Sequence, residues 1–236
     1  MSTHGRLAST VVLVTGCNSA VGAATTKALV KEGAAVALVA RRADEGHFVA
    51  SEIAAAGGRT LLIDCDVFDR EQAEQAVRRA VGEFGRLDTL VNHVGHALHE
   101  AFASTSADDW DRVVADDLRG WLHLSRAALP HLLTAAVSGP RYAADVINVH
   151  RAAYETAVPG GGAVALTRLG VVTFTKVLRQ ELKGSRVRVS AVHPGSRETE
   201  PPAEIAAEIV SAVTRDGIDV TTDADEHTIR PVKKER

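Results

Sequence analysis

The stretch VVLVTGCNSAVGAA, residues 11–24, joins a short apolar run to a turn of small residues and then to a segment with helical spacing. The apolar run has the length of a buried strand and is far too short to cross a membrane. Glycine lets a backbone turn sharply and approach a phosphate, whose charge can lie at the positive end of the following helix. The stretch therefore predicts a strand, a phosphate-binding turn and a helix that begins near Ala20.

The same alternation continues along the chain. Further runs rich in Val and Leu precede segments of helical period, and they read AAVALVAR, TLLIDCDV, TLVNHVG, DVINVH and RVRVSAVHPG. This order predicts parallel strands that are covered by helices on both faces. We predict an α/β fold over residues 1–236, a single-domain doubly wound Rossmann fold with six to seven mostly parallel strands. About residues 1–8 and 224–236 are predicted to be flexible termini, and ligands are expected at the carboxyl edge of the sheet.

The third predicted helix carries clear boundary signals. The Asp69 side chain can accept a hydrogen bond from an N–H of the first turn, and Gly85 can adopt the left-handed conformation that ends a helix. Its apolar residues recur at helical spacing and predict the face that packs on the sheet. They are Ala73, Val77, Ala80 and Phe84.

The composition excludes several classes of protein. Of the 236 residues, 45% are apolar and 24% are charged, and the formal net charge is −3, so no surface for nucleic acid is expected. Cys17 and Cys65 form neither a disulfide framework nor a zinc-binding spacing, which is typical of a reducing compartment. Because the polar N-terminus lacks the apolar core of a signal peptide, we predict a cytoplasmic protein without membrane attachment.

Four short motifs occur in order along the chain. Thr15, Gly16 and Gly22 fit the pattern TGxxxGxG, and Asp66-Val67, VNHVG (91–95) and HPG (193–195) follow. Together they resemble the short-chain dehydrogenase/reductase family over roughly residues 8–213. The resemblance implies a dinucleotide site in the glycine-rich turn and at the ends of the following strands. Its residues would be Thr15, Gly16, Asn18, Ser19, Val21, Gly22, Arg41, Arg42, Asp66, Val67, Asn92, Gly95, Pro194 and Gly195.

Two positions bear on which nucleotide would bind. Ala20 takes the place of the middle glycine of TGxxxGxG, where a methyl group would crowd the phosphates, or strain the turn if its φ were positive. Ala40, at the end of the second strand, offers no carboxylate to a ribose 2′-hydroxyl, whereas Arg41 is placed to bind a 2′-phosphate. Arg42 is a second candidate, and the alternative for both arginines is a solvated loop. We predict NADP(H) as the cofactor.

The catalytic positions of the family are altered in this chain. Counting from VLRQEL (177–182) places the family's tyrosine at Val164 and its lysine at Arg168. Its serine and its asparagine fall on Arg151 and Asp117. Valine cannot donate the proton that a developing alkoxide needs, and losing a positioned acid commonly costs ~10²–10⁴ in rate. The family's ordinary carbonyl chemistry is therefore expected to be slow or absent.

Other side chains could take over the proton step. His150 is the best general acid by residue type, Tyr154 could reach the site from the following loop, and Arg151 could stabilise an oxyanion. His150 and Tyr154 could instead be polar loop residues that face solvent. Asp117 and Arg168 are predicted to form a buried ion pair that rigidifies the altered site.

Four histidines fall on loops predicted at the carboxyl edge of the sheet. They match no fixed ligand motif, so we predict no metal. These histidines are His96, His99, His150 and His193.

The segment SRETEPP, residues 196–202, is all that separates the HPG turn from the last predicted helix, so the usual lid over the substrate is missing. An open site fits a large or carrier-held substrate, a partner protein, or no substrate at all. If there is a substrate, we expect a small molecule or a carrier-bound one, whose identity the sequence does not give. The resemblance also implies a homodimer or homotetramer in which the two long helices that end near Leu133 and Leu182 pair across the interface. An apolar stripe on the second helix is compatible with that contact, and it consists of Val171, Phe174, Leu178 and Leu182.

Three functions are open on sequence grounds. The first is an NADP(H)-binding oxidoreductase that transfers hydride between carbonyl and alcohol by an altered mechanism. The second is a non-redox enzyme, such as a cyclase, lyase or dehydratase, with His150, Arg151 and Asp117 as acid–base groups. The third is a catalytically inactive partner protein that responds to nucleotide.

Overall fold

The computed structural model describes residues 5–93, 100–101, 103–149, 159–193, 201–215 and 226–228. The strands are β1 (Val11–Thr15), β2 (Ala35–Ala40), β3 (Thr60–Asp64), β4 (Thr89–Asn92), β5 (Ala144–Val149), β6 (Val187–His193) and β7 (Glu226–Thr228). The helices are α1 (Ala20–Lys31), α2 (Ala43–Ala55), α3 (Arg70–Phe84), α4 (Ala107–Ser138), α5 (Gly162–Glu181) and α6 (Pro202–Thr214). Strand and helix alternate from β1 to α6, as the sequence predicts.

The strands form one sheet in the order β3-β2-β1-β4-β5-β6-β7, and every neighbouring pair is parallel. The predicted α/β fold with a doubly wound parallel sheet is therefore confirmed. The strand order reverses between β1 and β4, and the helices that follow these two strands lie on opposite faces of the sheet. A crevice opens between the carboxyl ends of two such strands, and this is where ligands bind in open α/β sheets.

Side chains of each strand alternate between two apolar cores. In β1, Val11 and Leu13 belong to the core beneath α3, α4 and α5, whereas Val12 and Val14 belong to the core beneath α1 and α6. A parallel sheet that is covered on both sides needs apolar side chains on both of its faces. This requirement explains why the strands appear in the sequence as unbroken runs of Val, Leu and Ala.

The boundaries of α3 are those that its sequence predicts. The Asp69 carboxylate accepts a hydrogen bond from the N–H of Gln72 at 2.8 Å, and Gly85 ends the helix with φ of +79°. The predicted inner face is confirmed as well, because its alanines and valine are buried and Phe84 packs against the same core.

The apolar stripe that we took as compatible with a subunit contact faces the sheet instead. Val171 and Leu178 are buried, and Phe174 and Leu182 are partly buried against the core under α5. Val171 and Leu178 are therefore covered by the fold itself, and the stripe as a whole gives no support to a subunit contact. The apolar side chains that α5 leaves exposed are Leu166, Leu169 and Val177.

Near the N-terminus, Leu7 is fully buried, and its N–H donates to the carbonyl oxygen of Glu32 at 2.8 Å. Chain packing therefore begins within the segment 1–8. At the other end, β7 lies within residues 224–236, which the sequence predicts to be a flexible terminus, and it pairs with β6.

A buried carboxylate holds the amino ends of β5 and β6 together. Asp145 is completely buried and accepts two hydrogen bonds from the Arg188 guanidinium, at 2.7 and 3.0 Å. Arg188 also donates to the carbonyl oxygens of Val213 and Arg215, at 2.8 and 2.7 Å, where α6 ends. Arg141 forms a further ion pair with Asp145. This arrangement joins two strands and a helix through one carboxylate.

A second carboxylate does the same between β1 and β4. Asp88 immediately precedes β4, is completely buried, and accepts the N–H of Val11 at 2.9 Å. Its two oxygens also accept hydrogen bonds from Arg86, both at 2.7 Å. These hydrogen bonds raise the pKa of the Arg86 guanidinium above its ordinary value. The amino edge of the sheet is thus held by ion pairs that involve buried carboxylates.

Candidate functional site at the carboxyl edge

The turn between β1 and α1 has no room for side chains at two of its glycines. Gly16 has φ of +64°, and a Cβ atom there would lie 2.2 Å from the carbonyl oxygen of His93. A Cβ atom on Gly22 would lie 2.1 Å from the carbonyl oxygen of Gly16. Both distances are far below van der Waals contact. The close approach of backbone to backbone therefore requires glycine at both positions.

Ser19 caps the helix that follows this turn. Its Oγ accepts a hydrogen bond from the N–H of Gly22 at 2.9 Å and donates to the carbonyl oxygen of Gly16 at 2.9 Å. The first turn of α1 holds no acidic side chain, so no local carboxylate offsets the positive end of the helix. Of the other predicted turn residues, Asn18 is exposed and Val21 is partly buried.

Ala20 is the first residue of α1, and its side chain is exposed. Among the non-glycine residues that the structure describes, only Ser9 and Tyr142 have positive φ. Ala20 therefore has an ordinary helical conformation, and the strain considered for an alanine in the place of glycine does not arise.

Thr15 connects the carboxyl ends of β1 and β4. Its Oγ1 accepts the N–H of His93 at 2.8 Å and donates to the carbonyl oxygen of Val91 at 3.4 Å, and the side chain is fully buried. His93, the residue after β4, also places its Nδ1 3.3 Å from Ser19 Oγ. The sequence reasoning did not single out His93, although it is the third residue of the VNHVG motif.

A chain of buried polar side chains runs beneath this edge, from α4 through β4 and β5 to α5. The Asn92 amide donates to Ser125 Oγ and to Asn148 Oδ1, both at 3.1 Å, and the Asn148 amide donates to Thr175 Oγ1 at 2.7 Å. All four side chains are buried. Asn92, predicted among the nucleotide-binding residues, thus directs its amide group into the fold, where it ties two strands to the helices on one face.

The end of β2 carries the two arginines predicted to select the nucleotide. Arg41 and Arg42 are both exposed, and Arg42 forms an ion pair with Asp44 at 3.3 Å. The following helix α2 has no side-chain hydrogen bond at its N-cap. The structure therefore places Arg41 beside an uncapped helix N-terminus.

The residues that follow β3 are ordered by local hydrogen bonds. Asp66 accepts the N–H of Phe68 at 3.1 Å, and its own N–H donates to Gln72 Oε1 at 2.9 Å. Val67 is buried. Burial raises the pKa of the neighbouring Cys65 thiol to about 12, and Asp66 and other nearby carboxylates add to this rise. Cys65 is therefore a neutral, unreactive thiol at physiological pH.

The predicted catalytic positions that the structure describes lie on two packed helices, α4 and α5. Asp117 of α4 is 5% exposed, and Arg168 of α5 is partly buried. Val164 lies in the first turn of α5. Trp110 packs over the start of this helix, since a Cβ atom on Gly162 would lie 2.7 Å from the indole ring.

Several predicted residues lie outside the described part of the chain. They are His150, Arg151 and Tyr154 among the catalytic candidates, Gly95, Pro194 and Gly195 among the nucleotide-binding candidates, and the histidines His96 and His99. His193 is the last residue of β6, and α6 begins at Pro202.

Within the described ranges, no group of three or more His, Cys, Asp or Glu side chains is arranged to hold a metal ion. No described helix is long and apolar enough to cross a membrane.

Comparison with known proteins places this geometry in context. The family model for short chain dehydrogenases matches residues 10–210. A glycine betaine reductase of Emericella nidulans is 34% identical over 196 residues, which cover 83% of this chain but only 15% of that longer protein. A 3-oxoacyl-(acyl-carrier-protein) reductase of Thermotoga maritima is 29% identical over 194 residues, covering 82% of this chain and 76% of the relative. The crystal structure of a metagenomic short-chain oxidoreductase in complex with NADP superposes with a TM-score of 0.86 at 28% identity, over 97% of this chain and 100% of the other.

Proposed function

The chain belongs to the short-chain dehydrogenase family, and on this premise we propose that it is an NADP(H)-binding oxidoreductase that transfers hydride between the nucleotide and a carbonyl or alcohol substrate. The observation that carries the proposal is the turn between β1 and α1. Gly16 and Gly22 leave a backbone surface without side chains there, and the first turn of α1 holds no carboxylate. This shape fits a pyrophosphate, whose charge would meet the positive end of the helix.

Arg41 supports NADP(H) rather than NAD(H). It follows β2 directly and is exposed, and among the described residues no ion pair or side-chain hydrogen bond engages its guanidinium. The uncapped N-terminus of α2 lies beside it. A guanidinium beside the N–H groups of a helix N-terminus suits a 2′-phosphate, and Ala40 before them carries no carboxylate to repel it. The nearby carboxylate of Asp44 is paired with Arg42. The NADP complex of the metagenomic relative agrees with this choice.

The proton step would differ from that of the family. The bound nicotinamide would supply or accept the hydride, but Val164 offers no group that can move a proton. His150 and Arg151 follow β5 directly in the sequence, and Tyr154 comes soon after. We assign the proton donor to His150 or Tyr154 and the oxyanion contact to Arg151.

Asp117 and Arg168 are proposed to form an ion pair between α4 and α5. The packing of the two helices and the burial of Asp117 support a structural role for the pair. We expect Asp117→Asn and Arg168→Lys each to lower the midpoint of thermal unfolding, because the first removes the carboxylate of the pair and the second removes the planar guanidinium that binds it. Unchanged midpoints in both variants would rule the pair out.

Nucleotide titration tests the binding half of this proposal. Purified protein is titrated with NADPH and with NADH, and bound nucleotide is followed by its fluorescence. We expect NADPH to bind at least about tenfold more tightly, because a charge-assisted contact to the 2′-phosphate contributes about 1.5–3 kcal/mol. Failure of both nucleotides to bind would overturn the oxidoreductase assignment.

Turnover tests the chemical half. NADPH oxidation is measured with small ketones and with 3-oxoacyl thioesters, the latter because the Thermotoga maritima relative is named for such a substrate. We expect slow turnover that falls further in His150→Ala or Tyr154→Phe. If both variants oxidise NADPH as fast as the unaltered protein does, His150 and Tyr154 do not have these roles. Tight NADPH binding without turnover of any carbonyl would instead favour a nucleotide-responsive partner protein.

We also propose that α4 and α5 form the contact between two copies of the chain. Both helices expose apolar side chains, namely Leu122, Leu133 and Val137 on α4 and Leu166, Leu169 and Val177 on α5. Burial of such a surface against itself is the usual origin of a symmetric dimer. Leu169→Glu should therefore reduce the mass measured by light scattering to that of a smaller species. Phe48→Glu, at an exposed aromatic residue of α2, is the matched control and should leave the mass unchanged.

A further inference from the structure

His93 contacts the glycine-rich turn at three points. Its N–H is held by Thr15 Oγ1 at 2.8 Å, and its carbonyl oxygen occupies the space that a side chain on Gly16 would need. Its imidazole Nδ1 lies 3.3 Å from Ser19 Oγ, and 3.2 Å from where a Cβ atom of Gly16 would be. The ring therefore lies against the surface that the proposed function assigns to the pyrophosphate.

The hydrogen bonds of Ser19 determine which form of His93 completes the arrangement. The hydroxyl has one hydrogen, which it donates to the carbonyl oxygen of Gly16 at 2.9 Å, and one lone pair already accepts the N–H of Gly22 at 2.9 Å. Only a second lone pair is left on Oγ, so it can accept a further hydrogen bond but cannot donate one. A protonated Nδ1 on His93 satisfies this geometry. An unprotonated Nδ1 would compete with the Gly16 carbonyl for the same hydrogen.

The Nδ1–H of His93 would thus connect the end of β4 to the cap of α1. These two elements border the crevice where the strand order reverses, and the Ser19 cap orients the first N–H groups of α1. A turn that is already held in its binding conformation loses less conformational freedom when an anion binds. The affinity of the turn should therefore depend on this contact.

We propose that His93 is a positioning residue for the dinucleotide: its Nδ1–H holds Ser19, and through Ser19 the N-terminus of α1, in the conformation that binds a pyrophosphate. This inference rests on the proposed nucleotide binding and extends it to the residue that directly follows β4. It assigns His93 a part in binding through Ser19 and no part in the hydride or proton step.

A series of substitutions at one position tests the proposal. Asn at position 93 can place its amide N–H near the position of Nδ1, Gln places its amide farther out, and Leu has similar bulk without a donor. We expect His93→Asn to retain NADPH binding, whereas His93→Leu and His93→Gln raise the dissociation constant about five- to tenfold, the scale of one lost hydrogen bond. The measurement is NADPH titration, with the unfolding midpoint of each variant recorded beside it.

Ser19 supplies the second arm of the experiment. Ser19→Ala should weaken NADPH binding, and the double variant His93→Leu/Ser19→Ala should bind no more weakly than Ser19→Ala alone, because the two residues act through one contact. A purely structural role would lower the unfolding midpoint of the variants and leave the dissociation constant of the folded protein unchanged. That result, or independent and additive effects of the two substitutions, would overturn the proposal.

The outcomes separate this inference from the proposed function. If the unaltered protein binds neither NADPH nor NADH, the proposed function is wrong and the role of His93 in binding is wrong with it. If the unaltered protein binds NADPH and His93→Leu binds it equally well, only the role of His93 is wrong. Comparing His93→Asn with His93→Gln keeps the test valid if the leucine variant does not fold, since both amides are polar residues of modest size.

Discussion

At the amino edge of the sheet, the buried carboxylates Asp88 and Asp145 are both held by arginines, whereas at the carboxyl edge the turn is held by Thr15, Ser19 and His93. The first edge uses full charges and the second uses hydroxyls and an imidazole. Ion pairs at the amino edge bind strands and helices to one another. The contacts at the carboxyl edge hold the backbone and add no carboxylate that would repel an anion.

The difference teaches where the protein can accept a ligand. A buried charge is stable only when its partner remains in place. The arginines paired with Asp88 and Asp145 therefore stabilise the fold and are not available to bind a ligand. At the carboxyl edge, Arg41 and the N-termini of α1 and α2 are placed where a phosphate could reach them. Substitutions at the two edges should therefore affect different properties, namely stability at the first and nucleotide affinity at the second.

Arg188→Met should have the largest effect. It removes the main partner of Asp145 and two hydrogen bonds to the end of α6, and breaking such a buried pair typically lowers the free energy of unfolding by about 3–5 kcal/mol. Urea denaturation measures the loss. Arg70→Gln is the control, since its pair with Glu74 is exposed and long at 3.9 Å, and it should cost less than about 1 kcal/mol. Similar losses in the two variants would contradict the comparison.

Gly16→Ala should lower both the stability of the protein and its affinity for nucleotide, because the turn lies at the proposed site and is also closely packed. A left-handed alanine costs about 1–2 kcal/mol, and moving the His93 carbonyl away adds about 1–3 kcal/mol. We expect a lower unfolding midpoint together with loss of NADPH binding. Gly82→Ala provides a matched control in α3, where a Cβ atom meets nothing within 4 Å, and it should stabilise the protein slightly. An unchanged Gly16→Ala protein would show that the turn is not as close-packed as described.

Arg41→Gln should change affinity without changing stability. Loss of one charge-assisted contact predicts an increase of about 10- to 100-fold in the dissociation constant for NADPH, while that for NADH stays the same. Arg42→Gln serves as the control, and we expect a smaller effect because its guanidinium already pairs with Asp44. If both nucleotides weaken equally in Arg41→Gln, the arginine does not recognise a 2′-phosphate.

Ala20→Gly should have the smallest effect. Because Ala20 already has a helical conformation and an exposed side chain, glycine relieves no strain there. We expect the dissociation constant for NADPH to change by less than about threefold, because the substitution changes only the helix propensity of one exposed residue. A much tighter complex in the glycine variant would show that the alanine methyl group crowds the phosphates.

Local sequence was sufficient where the physical cause is local. The alternation of apolar runs and helical segments predicted the parallel sheet, and Asp69 and Gly85 predicted both ends of α3, because caps depend on residues close in the chain. The four motifs predicted the family, which the match over residues 10–210 confirms. The roles of the individual nucleotide-binding and catalytic residues stay predictions that the experiments above address.

The sequence pattern was insufficient where one spacing of residues is compatible with two structural arrangements. The helix α5 has apolar residues on two sides, and periodicity alone does not tell which side faces the sheet, where Val171 and Leu178 are buried. In the same way, a pattern of glycines cannot say whether an alanine among them has positive φ. The answer for Ala20 came from the position at which α1 begins.

The amino-acid sequence by itself determined the order of strands and helices and the glycine-rich turn, since each of these depends on neighbours within a few residues. Only the tertiary structure decided which distant side chains meet. Asp145 and Arg188 lie 43 residues apart in the chain and Ser19 and His93 lie 74 apart, so no local pattern links them. They come together because parallel strands bring their like ends to the same edge, where a hydrogen bond depends on position in space rather than on distance along the chain.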